Sequence, residues 1–114
     1  MRYSMFVGRF QPFHDGHRWL IEQRLKLGKK VCIAVMDIHD SEPEKNPFKT
    51  EEVLLNIHNK LKKEISEGMV KVISIPPIES VNYGRDVGYE VIEHIPPDEI
   101  KEISATKIRR EYEL

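Results

Sequence analysis

Two apolar segments separated by a loop and an amphipathic stretch occupy the first 36 residues, and this order constrains the fold more than any other feature. Residues 2–7 and 30–36 are mostly apolar, which is typical of buried strands. Between them, from Asp15 onward, apolar residues recur at helical spacing until Gly28, a common helix stop. A strand, a helix and a second strand in this order predict a βαβ unit, and strands that are apolar throughout favour a parallel sheet covered on both faces.

The same alternation continues along the chain. Residues 37–49 are polar and contain two prolines, which predicts a loop, and Thr50 is expected to cap a helix whose apolar stripe extends to Ile65 before Gly68. Val70–Ile75 is a third predicted strand. Weaker patterns predict a fourth strand at residues 81–83, a fifth over residues 89–95 and a last helix from about residue 104. We therefore expect an α/β fold with a Rossmann-like parallel sheet of about five strands flanked by helices.

The size and composition of the chain limit its function. Its 114 residues favour one domain over 1–114. Its 18 Lys and Arg residues nearly balance 19 Asp and Glu residues, so we expect no nucleic-acid partner. The longest apolar stretch, Val31–Met36, is too short to span a membrane. Cys32 is the single cysteine, which excludes an intrachain disulfide and a Cys-rich zinc site. These features predict a cytoplasmic protein with no membrane partner.

The chemistry-bearing residues of the first motif are His14 and His17. They lie where the loop after the first strand enters the helix, so both imidazoles can project to one side, beside the unpaired N–H groups of the first helical turn. Ligands of open α/β sheets bind at the carboxyl ends of the strands, and helix N-termini attract phosphate. Gly8 permits close approach of a ligand to the backbone, and Arg9 adds a positive charge. The segment therefore predicts an anion site.

Two other interpretations of the histidine pair are open. One histidine can be a surface residue while the other packs against Trp19, without any ligand. A zinc site is also conceivable, but Asp15 is the only further ligand nearby in the sequence. We therefore predict no dedicated protein site for a metal.

Two segments resemble a known superfamily. Residues 8–17, GRFQPFHDGH, resemble the HxGH segment of the nucleotidyltransferase superfamily, and GRFQPFH is similar to archaeal-type nicotinamide-nucleotide adenylyltransferases. Residues 103–110, ISATKIRR, resemble the ISSTxIR segment of the same superfamily, and they also begin with a hydroxyl-bearing helix cap followed by cations, a pattern that suits an anion. The two motifs stand in the superfamily's order, near opposite ends of the chain.

The resemblance implies a Rossmann-like domain of the nucleotidyltransferase type. Such enzymes catalyse attack of a substrate phosphate on the α-phosphate of a nucleoside triphosphate, with release of pyrophosphate and without an enzyme-bound nucleotide intermediate. By this resemblance, the catalytic residues are expected to be His14, His17 and Arg109. Residues expected to bind the nucleotide are Gly8, Arg9, Phe10, Gly16, Ser104, Thr106, Lys107 and Ile108.

The acceptor substrate is less closely specified. Asn46-Pro47-Phe48 is similar to the NPF of the archaeal-type adenylyltransferases, but Val53 stands where those enzymes have an arginine that helps to bind phosphate. Three later segments instead occur in an order similar to that of small cytidylyltransferases that activate polyol phosphates. These segments are GRD, GYEVI and ISATKIR. We name Asp37, Phe48 and Tyr83 as candidate acceptor-binding residues.

The sequence therefore predicts an enzyme that transfers a nucleoside monophosphate, most closely AMP from ATP, to a phosphorylated small molecule, of which nicotinamide mononucleotide is one candidate. A CTP-dependent cytidylyltransferase is the alternative reaction, and a non-catalytic nucleotide-binding or regulatory module is the alternative of another class. Mg²⁺ is expected to arrive with the triphosphate, mostly ligated by phosphate and water. Exposed sheet edges favour a homo-oligomer.

Overall fold

The computed structural model describes residues 2–85 and 90–103. Three parallel strands, β1 (Tyr3–Gly8), β2 (Lys30–Met36) and β3 (Val70–Ile75), form one sheet in the order β1-β2-β3. Helix α1 (Asp15–Leu25) connects β1 to β2, and α2 (Thr50–Lys60) and the short α3 (Lys62–Ser66) connect β2 to β3. A four-residue helix, α4 (Asp98–Lys101), follows. No helix in these two stretches is long and apolar enough to cross a lipid bilayer.

The core lies between one face of this sheet and the helices. Val31, Ile33 and Val35 alternate along β2 and are fully buried, and they form one apolar cluster with Ile21 of α1 and Ile57 of α2. Parallel pairing places Phe6 beside Ile33 and Val72 beside Ile33 on the other side, so β1 and β3 extend the same face. The predicted βαβ unit and parallel α/β sheet are confirmed.

The two faces of the sheet are not equally covered. Val31–Val35 are all buried, as expected for a strand covered on both faces. In β1, however, Tyr3, Met5 and Val7 share the face opposite the helices and keep 43%, 59% and 40% of their surfaces exposed. The prediction of double coverage therefore holds for β2 and is wrong for β1, which pairs with one strand only within the described part of the chain.

The second helical region differs from its prediction in two details. Lys49 rather than Thr50 is the N-cap, and Thr50 is the first helical residue. The predicted continuous helix is interrupted at Leu61, whose backbone (φ −114°, ψ 26°) leaves the helical conformation while its side chain is fully buried. Ile57, Leu61 and Ile65 keep helical spacing across the interruption, so the apolar pattern could not reveal it.

Three strands are present in residues 2–85 and 90–103, not about five. Residues 81–83 and 90–95 form no strand. Val81 is 81% exposed and Val91 is 94% exposed, so these β-branched side chains have no neighbouring surface to pack against, and strand propensity depends on such packing. The short α4 was not predicted. The predicted last helix and position 89 of the predicted fifth strand lie outside the described residues.

Candidate functional site

The candidate site begins at the carboxyl end of β1, where residues 9–14, the β1–α1 loop, turn towards the core. Phe10 has a left-handed backbone (φ 52°), which is uncommon for a residue with a side chain, and its ring is 5% exposed. Gly8 makes this possible, because a Cβ added there would lie 3.1 Å from Cζ of Phe10. The absence of a side chain at Gly8 therefore lets the Phe10 ring fold back over the end of β1.

Gln11 fastens this loop to the segment before α2. Its Nε2 donates to the carbonyl of Phe48 at 3.0 Å, and its Oε1 accepts from the Phe48 N–H at 2.9 Å. Gln11 is 4% exposed, so this paired contact replaces water for both residues. The carboxamide thus joins two loops that follow neighbouring strands at the same edge of the sheet.

His14 and His17 cap the start of α1 reciprocally. Nδ1 of His14 accepts a hydrogen bond from the Gly16 N–H at 3.0 Å, and Nδ1 of His17 accepts one from the His14 N–H at 3.1 Å. This is a capping box in which imidazoles replace the usual hydroxyl and carboxylate. The expectation that the backbone N–H groups here are free is wrong for these two, since the ring nitrogens already occupy them.

The two imidazoles are held by stacking as well as by hydrogen bonds. Their ring centroids are 3.8 Å apart with an interplanar angle of 22°. Phe10 and Phe13 pack on the His17 ring, with centroids at 4.8 Å and 5.6 Å. Gly16 is part of this packing, because a Cβ there would lie 2.8 Å from Cε1 of His14. The glycine between the histidines is therefore required by the position of the His14 ring.

Burial favours the neutral form of both imidazoles. It is the largest cause that lowers the pKa of His17 to about 3, and His14 and Lys60 lower it further. Burial and Lys60 also lower the pKa of His14, while Asp15 opposes them. Because Nδ1 accepts a hydrogen bond in each ring, the proton of the neutral ring is assigned to Nε2. Neither Nε2 has a hydrogen-bond partner among residues 2–85 and 90–103.

This arrangement presents two neutral N–H donors on rigidly stacked rings beside the carboxyl end of β1. Such preorganised donors stabilise charge that develops on an oxygen, because they need no reorganisation during the reaction. Neither ring offers a base in the described geometry, since the only unprotonated nitrogen of each is bonded to the backbone. The site is therefore suited to binding and stabilising an anion rather than to abstracting a proton.

The structure brings some of the other predicted residues to this edge and not others. Phe48 contacts Gln11 as described, and Arg9 is an exposed residue of the β1–α1 loop. The exposed Asp37 accepts from the hydroxyl of Thr50 at 2.6 Å, so it is tied to the first turn of α2. Tyr83 is 75% exposed, and no contact brings it to the histidines. The remaining predicted residues, Ser104, Thr106, Lys107, Ile108 and Arg109, lie outside the described residues.

A surface pocket of about 430 Å³ adjoins the histidines through Phe10, whose ring also touches His17. It is lined by Phe10, Pro12, Phe48, Glu52, Val53 and Asn56. Val53 is 3% exposed and belongs to the core cluster. Val53 stands at the position where archaeal-type adenylyltransferases are expected to have an arginine, and it contributes an apolar side chain to the pocket lining. In the same described stretches, no group of three or more His, Cys, Asp or Glu side chains could hold a metal ion.

Sequence reasoning missed two residues at this site. Lys60 is exposed, as a charged residue on a helix surface is expected to be, but its Nζ also donates to the Phe13 carbonyl at 2.8 Å, a contact that the sequence did not indicate. The role of Gln11 was also missed. These contacts join residues 47 and 37 positions apart, and no local sequence pattern marks such distant pairs.

Comparison with known proteins agrees with this architecture. A family model described as cytidylyltransferase-like matches residues 5–71, which include most of β1, the histidine pair and β2. A nicotinamide-nucleotide adenylyltransferase of Sulfurisphaera tokodaii is 38% identical over 81 residues, which are 71% of this chain and 46% of that protein. Proteins of the same name from Archaeoglobus fulgidus and Methanolobus tindarius are 29% and 30% identical, over 85% and 88% of this chain and 56% and 55% of their own lengths. The chain thus spans about half the length of these curated relatives.

Proposed function

This chain belongs to the cytidylyltransferase-like family, and from that membership we propose that it is a nucleotidyltransferase. In the proposed reaction, AMP passes from ATP to a phosphorylated acceptor, nicotinamide mononucleotide, and pyrophosphate is released. The names of the relatives support ATP and this acceptor. Since the chain spans about half of their length, the proposal rests on the site itself as much as on the likeness.

The observation that carries the proposal is the reciprocally capped histidine pair. An oxygen of the acceptor phosphate attacks the α-phosphorus of the triphosphate, and the bond from that phosphorus to the oxygen bridging to the β-phosphate breaks. Negative charge builds on the α-phosphate oxygens and on the departing pyrophosphate. The Nε2–H groups of His14 and His17 donate to these oxygens, and no covalent enzyme intermediate is needed.

Neutral donors suit this task at physiological pH. The pKa of His17 is lowered to about 3, so this ring stays neutral near pH 7, and the pKa of His14 is lowered in the same direction. The donors therefore keep the same hydrogen-bonding pattern as substrate charge arrives, and the electrostatic support of the triphosphate comes from neighbouring cations. Arg109 and Lys107 are proposed to provide part of it, together with Ser104, Thr106 and the backbone of Ile108, as the resemblance of that segment implies.

Three further expectations accompany the proposal. Mg²⁺ is expected on the triphosphate, with phosphate oxygens and water supplying most of its ligands. A cytoplasmic location stays a prediction from composition. A homo-oligomer is also proposed, and β1 offers an edge for it, because within the described residues it pairs with one strand only and it carries no charged residue that would prevent edge pairing.

A second reaction has one observation in its favour. Val53, and not an arginine, lines the pocket beside Phe10, so this pocket lacks the cation with which related adenylyltransferases are expected to bind phosphate. A CTP-dependent transfer to a polyol phosphate is therefore the alternative to test.

The deciding experiment measures pyrophosphate release with Mg²⁺ and either ATP or CTP, each combined with nicotinamide mononucleotide or glycerol 3-phosphate. We expect release with ATP and nicotinamide mononucleotide, and loss of release when the metal is chelated. Release only with CTP and glycerol 3-phosphate would establish the alternative. ATP binding without turnover on either acceptor would instead favour a non-catalytic nucleotide-binding module.

A further inference from the structure

Lys60, the last residue of α2, contacts the same peptide unit as His17 although it is distant in the sequence. Its Nζ donates to the Phe13 carbonyl at 2.8 Å. The next group of that peptide, the His14 N–H, donates to Nδ1 of His17 at 3.1 Å. The carbonyl and the N–H belong to one planar amide, so a bond at one end fixes the direction of the other. We propose that Lys60 is a positioning residue that sets the tautomer and orientation of His17 through the Phe13–His14 peptide.

The charge of Lys60 strengthens its connection to His17. A charged donor on a carbonyl makes a stronger hydrogen bond than a neutral donor does. It also polarises the amide, which strengthens the bond donated by the N–H of the same amide. The ammonium of Lys60 therefore strengthens the bond from His14 N–H to His17 Nδ1, and it keeps the His17 proton on Nε2, where the proposed function requires it.

The backbone of Lys60 is itself held in place. Its carbonyl accepts from Nη1 of Arg18 at 3.1 Å, and Arg18 directly follows His17 in α1. The Arg18 guanidinium is in turn fixed by Glu64 at 2.7 Å and by Glu22 at 3.1 Å. Arg18 thus joins α1 to the backbone at the end of α2, and Lys60 joins the end of α2 to the β1–α1 loop, so the backbone from which the Lys60 side chain reaches the loop is fixed relative to α1.

Lys60 also acts on the two histidines through its charge. The charge of Lys60 lowers the pKa of both His14 and His17, after the larger effect of burial. The other titratable groups that act on the pair are His14, which lowers the pKa of His17, and Asp15 of α1, which raises the pKa of His14. From α4, the Ile100 carbonyl comes closest, 3.8 Å from where a Cβ of Gly16 would lie. Among these neighbours, Lys60 is the group that both bonds to the loop and disfavours the imidazolium forms.

The inference rests on the proposed function only in its kinetic consequence, so the experiment has two independent readouts. Histidine ring resonances are followed by NMR over a pH titration, and pyrophosphate release is measured by steady-state kinetics. The variants are K60M, K60R and K60Q, and K62M is the matched control, because Lys62 is an exposed lysine just beyond α2 with no hydrogen bond to the loop.

We expect K60M to raise the pKa of both histidines and to lower kcat about tenfold with little change in KM, which corresponds to about 1.4 kcal/mol of transition-state stabilisation. K60R should restore both properties, and K62M should alter neither. K60Q, which keeps a donor without the charge, should retain the Nε2–H form of His17 while its pKa rises.

Unchanged histidine titrations in K60M would overturn the inference, and so would equal effects of K60M and K62M. If wild-type protein shows no turnover, the proposed function fails, but the titration still decides the role of Lys60. If circular dichroism shows that K60M does not fold, K60Q provides the test: a rise in the His17 pKa supports the inference, and an unchanged pKa contradicts it.

Discussion

The β1–α1 loop and the segment after β3 are both irregular in secondary structure, but they differ in how deeply their side chains are buried and in how they are hydrogen-bonded. Phe10, Gln11 and Phe13 of the loop are 5%, 4% and 1% exposed. In the later segment, Val81, Val91 and Ile95 are 81%, 94% and 68% exposed. Gln11 and the Phe13 carbonyl of the loop form hydrogen bonds with Phe48 and Lys60, which lie near the two ends of α2. In residues 76–85, the side-chain hydrogen bond is a local contact between Asn82 and Ser80.

This difference shows that the candidate anion site lies in the well-packed loop and not in the exposed segment. The loop needs no regular hydrogen bonding because Gln11, Lys60 and the two histidines replace it with side-chain contacts to the backbone. Within the described residues, the contacts that hold the proposed phosphate-binding loop come from α1, α2 and the segment before α2. The later segment has apolar side chains of the kind that build strands, but they are not buried against that framework.

The largest expected effect is on catalysis in the loop. His14→Ala should lower pyrophosphate release about 10²–10³-fold, because one preorganised donor is lost and the His17 ring loses its stacking partner. Steady-state kinetics would measure the change, with urea unfolding to establish that the variant is folded. Val81→Ser, in the exposed segment, is the control and should keep its activity. A His14→Ala variant with the wild-type rate would remove the histidine from the mechanism.

A smaller effect is expected on stability when the anchor of the loop is removed. Gln11→Ala should lower the free energy of unfolding by about 1–3 kcal/mol, because the N–H and carbonyl of Phe48 lose their partner. Urea denaturation at pH 7 would measure it. If Gln11→Ala changed stability no more than Val81→Ser does, the loop would be no better anchored than the later segment.

The neutral His17 predicts a pH dependence of stability. Its pKa is about 3 in the folded protein and has its ordinary value of 6.5 when unfolded, so between these values the unfolded chain binds more protons. This contribution is complete above pH 6.5 and is lost as the pH falls towards 3. Between pH 7 and pH 5 the wild type should lose about 2 kcal/mol more stability than His17→Gln, which does not titrate.

Urea unfolding of both proteins at the two pH values would check this difference. His17→Gln retains a side-chain oxygen that can accept from the His14 N–H, so it is a closer control than alanine. Parallel losses in the two proteins would mean that His17 is protonated as easily in the folded protein as in the unfolded chain.

The smallest effect is expected in the exposed segment. Val91→Ser should change the free energy of unfolding by less than about 0.5 kcal/mol, since Val91 is 94% exposed and loses no packing. The same urea assay applies. A loss above about 1 kcal/mol would show that Val91 is buried in solution and would weaken the contrast between the two regions.

Local patterns in the sequence were enough to locate much of the framework. The sequence correctly predicted the strands β1, β2 and β3, the start of α1 and the position of the histidine pair. Each of these depends on apolar periodicity or on nearby residues that begin or end an element. The end of α2 at Lys60 was not predicted, because the buried Leu61 continues the helical spacing of apolar residues.

The features that sequence could not supply depend on distant contacts. The predicted strand at 81–83 had suitable residues but no neighbouring strand or core to pack on. The anion site was predicted with free backbone N–H groups, yet the imidazole Nδ1 atoms occupy two of them, and this depends on how the rings stack. Lys60 belongs to the site through a fold-dependent contact with Phe13.

The central claim is that His14 and His17 are neutral and carry their protons on Nε2 at physiological pH. Ring ¹⁵N chemical shifts distinguish the two neutral tautomers from the imidazolium form, and they can be measured on the labelled protein at pH 7 without substrate. We expect both rings to show a protonated Nε2 and an unprotonated, hydrogen-bonded Nδ1. A protonated Nδ1 or an imidazolium in either ring would contradict the reciprocal cap and the donor role assigned to the pair.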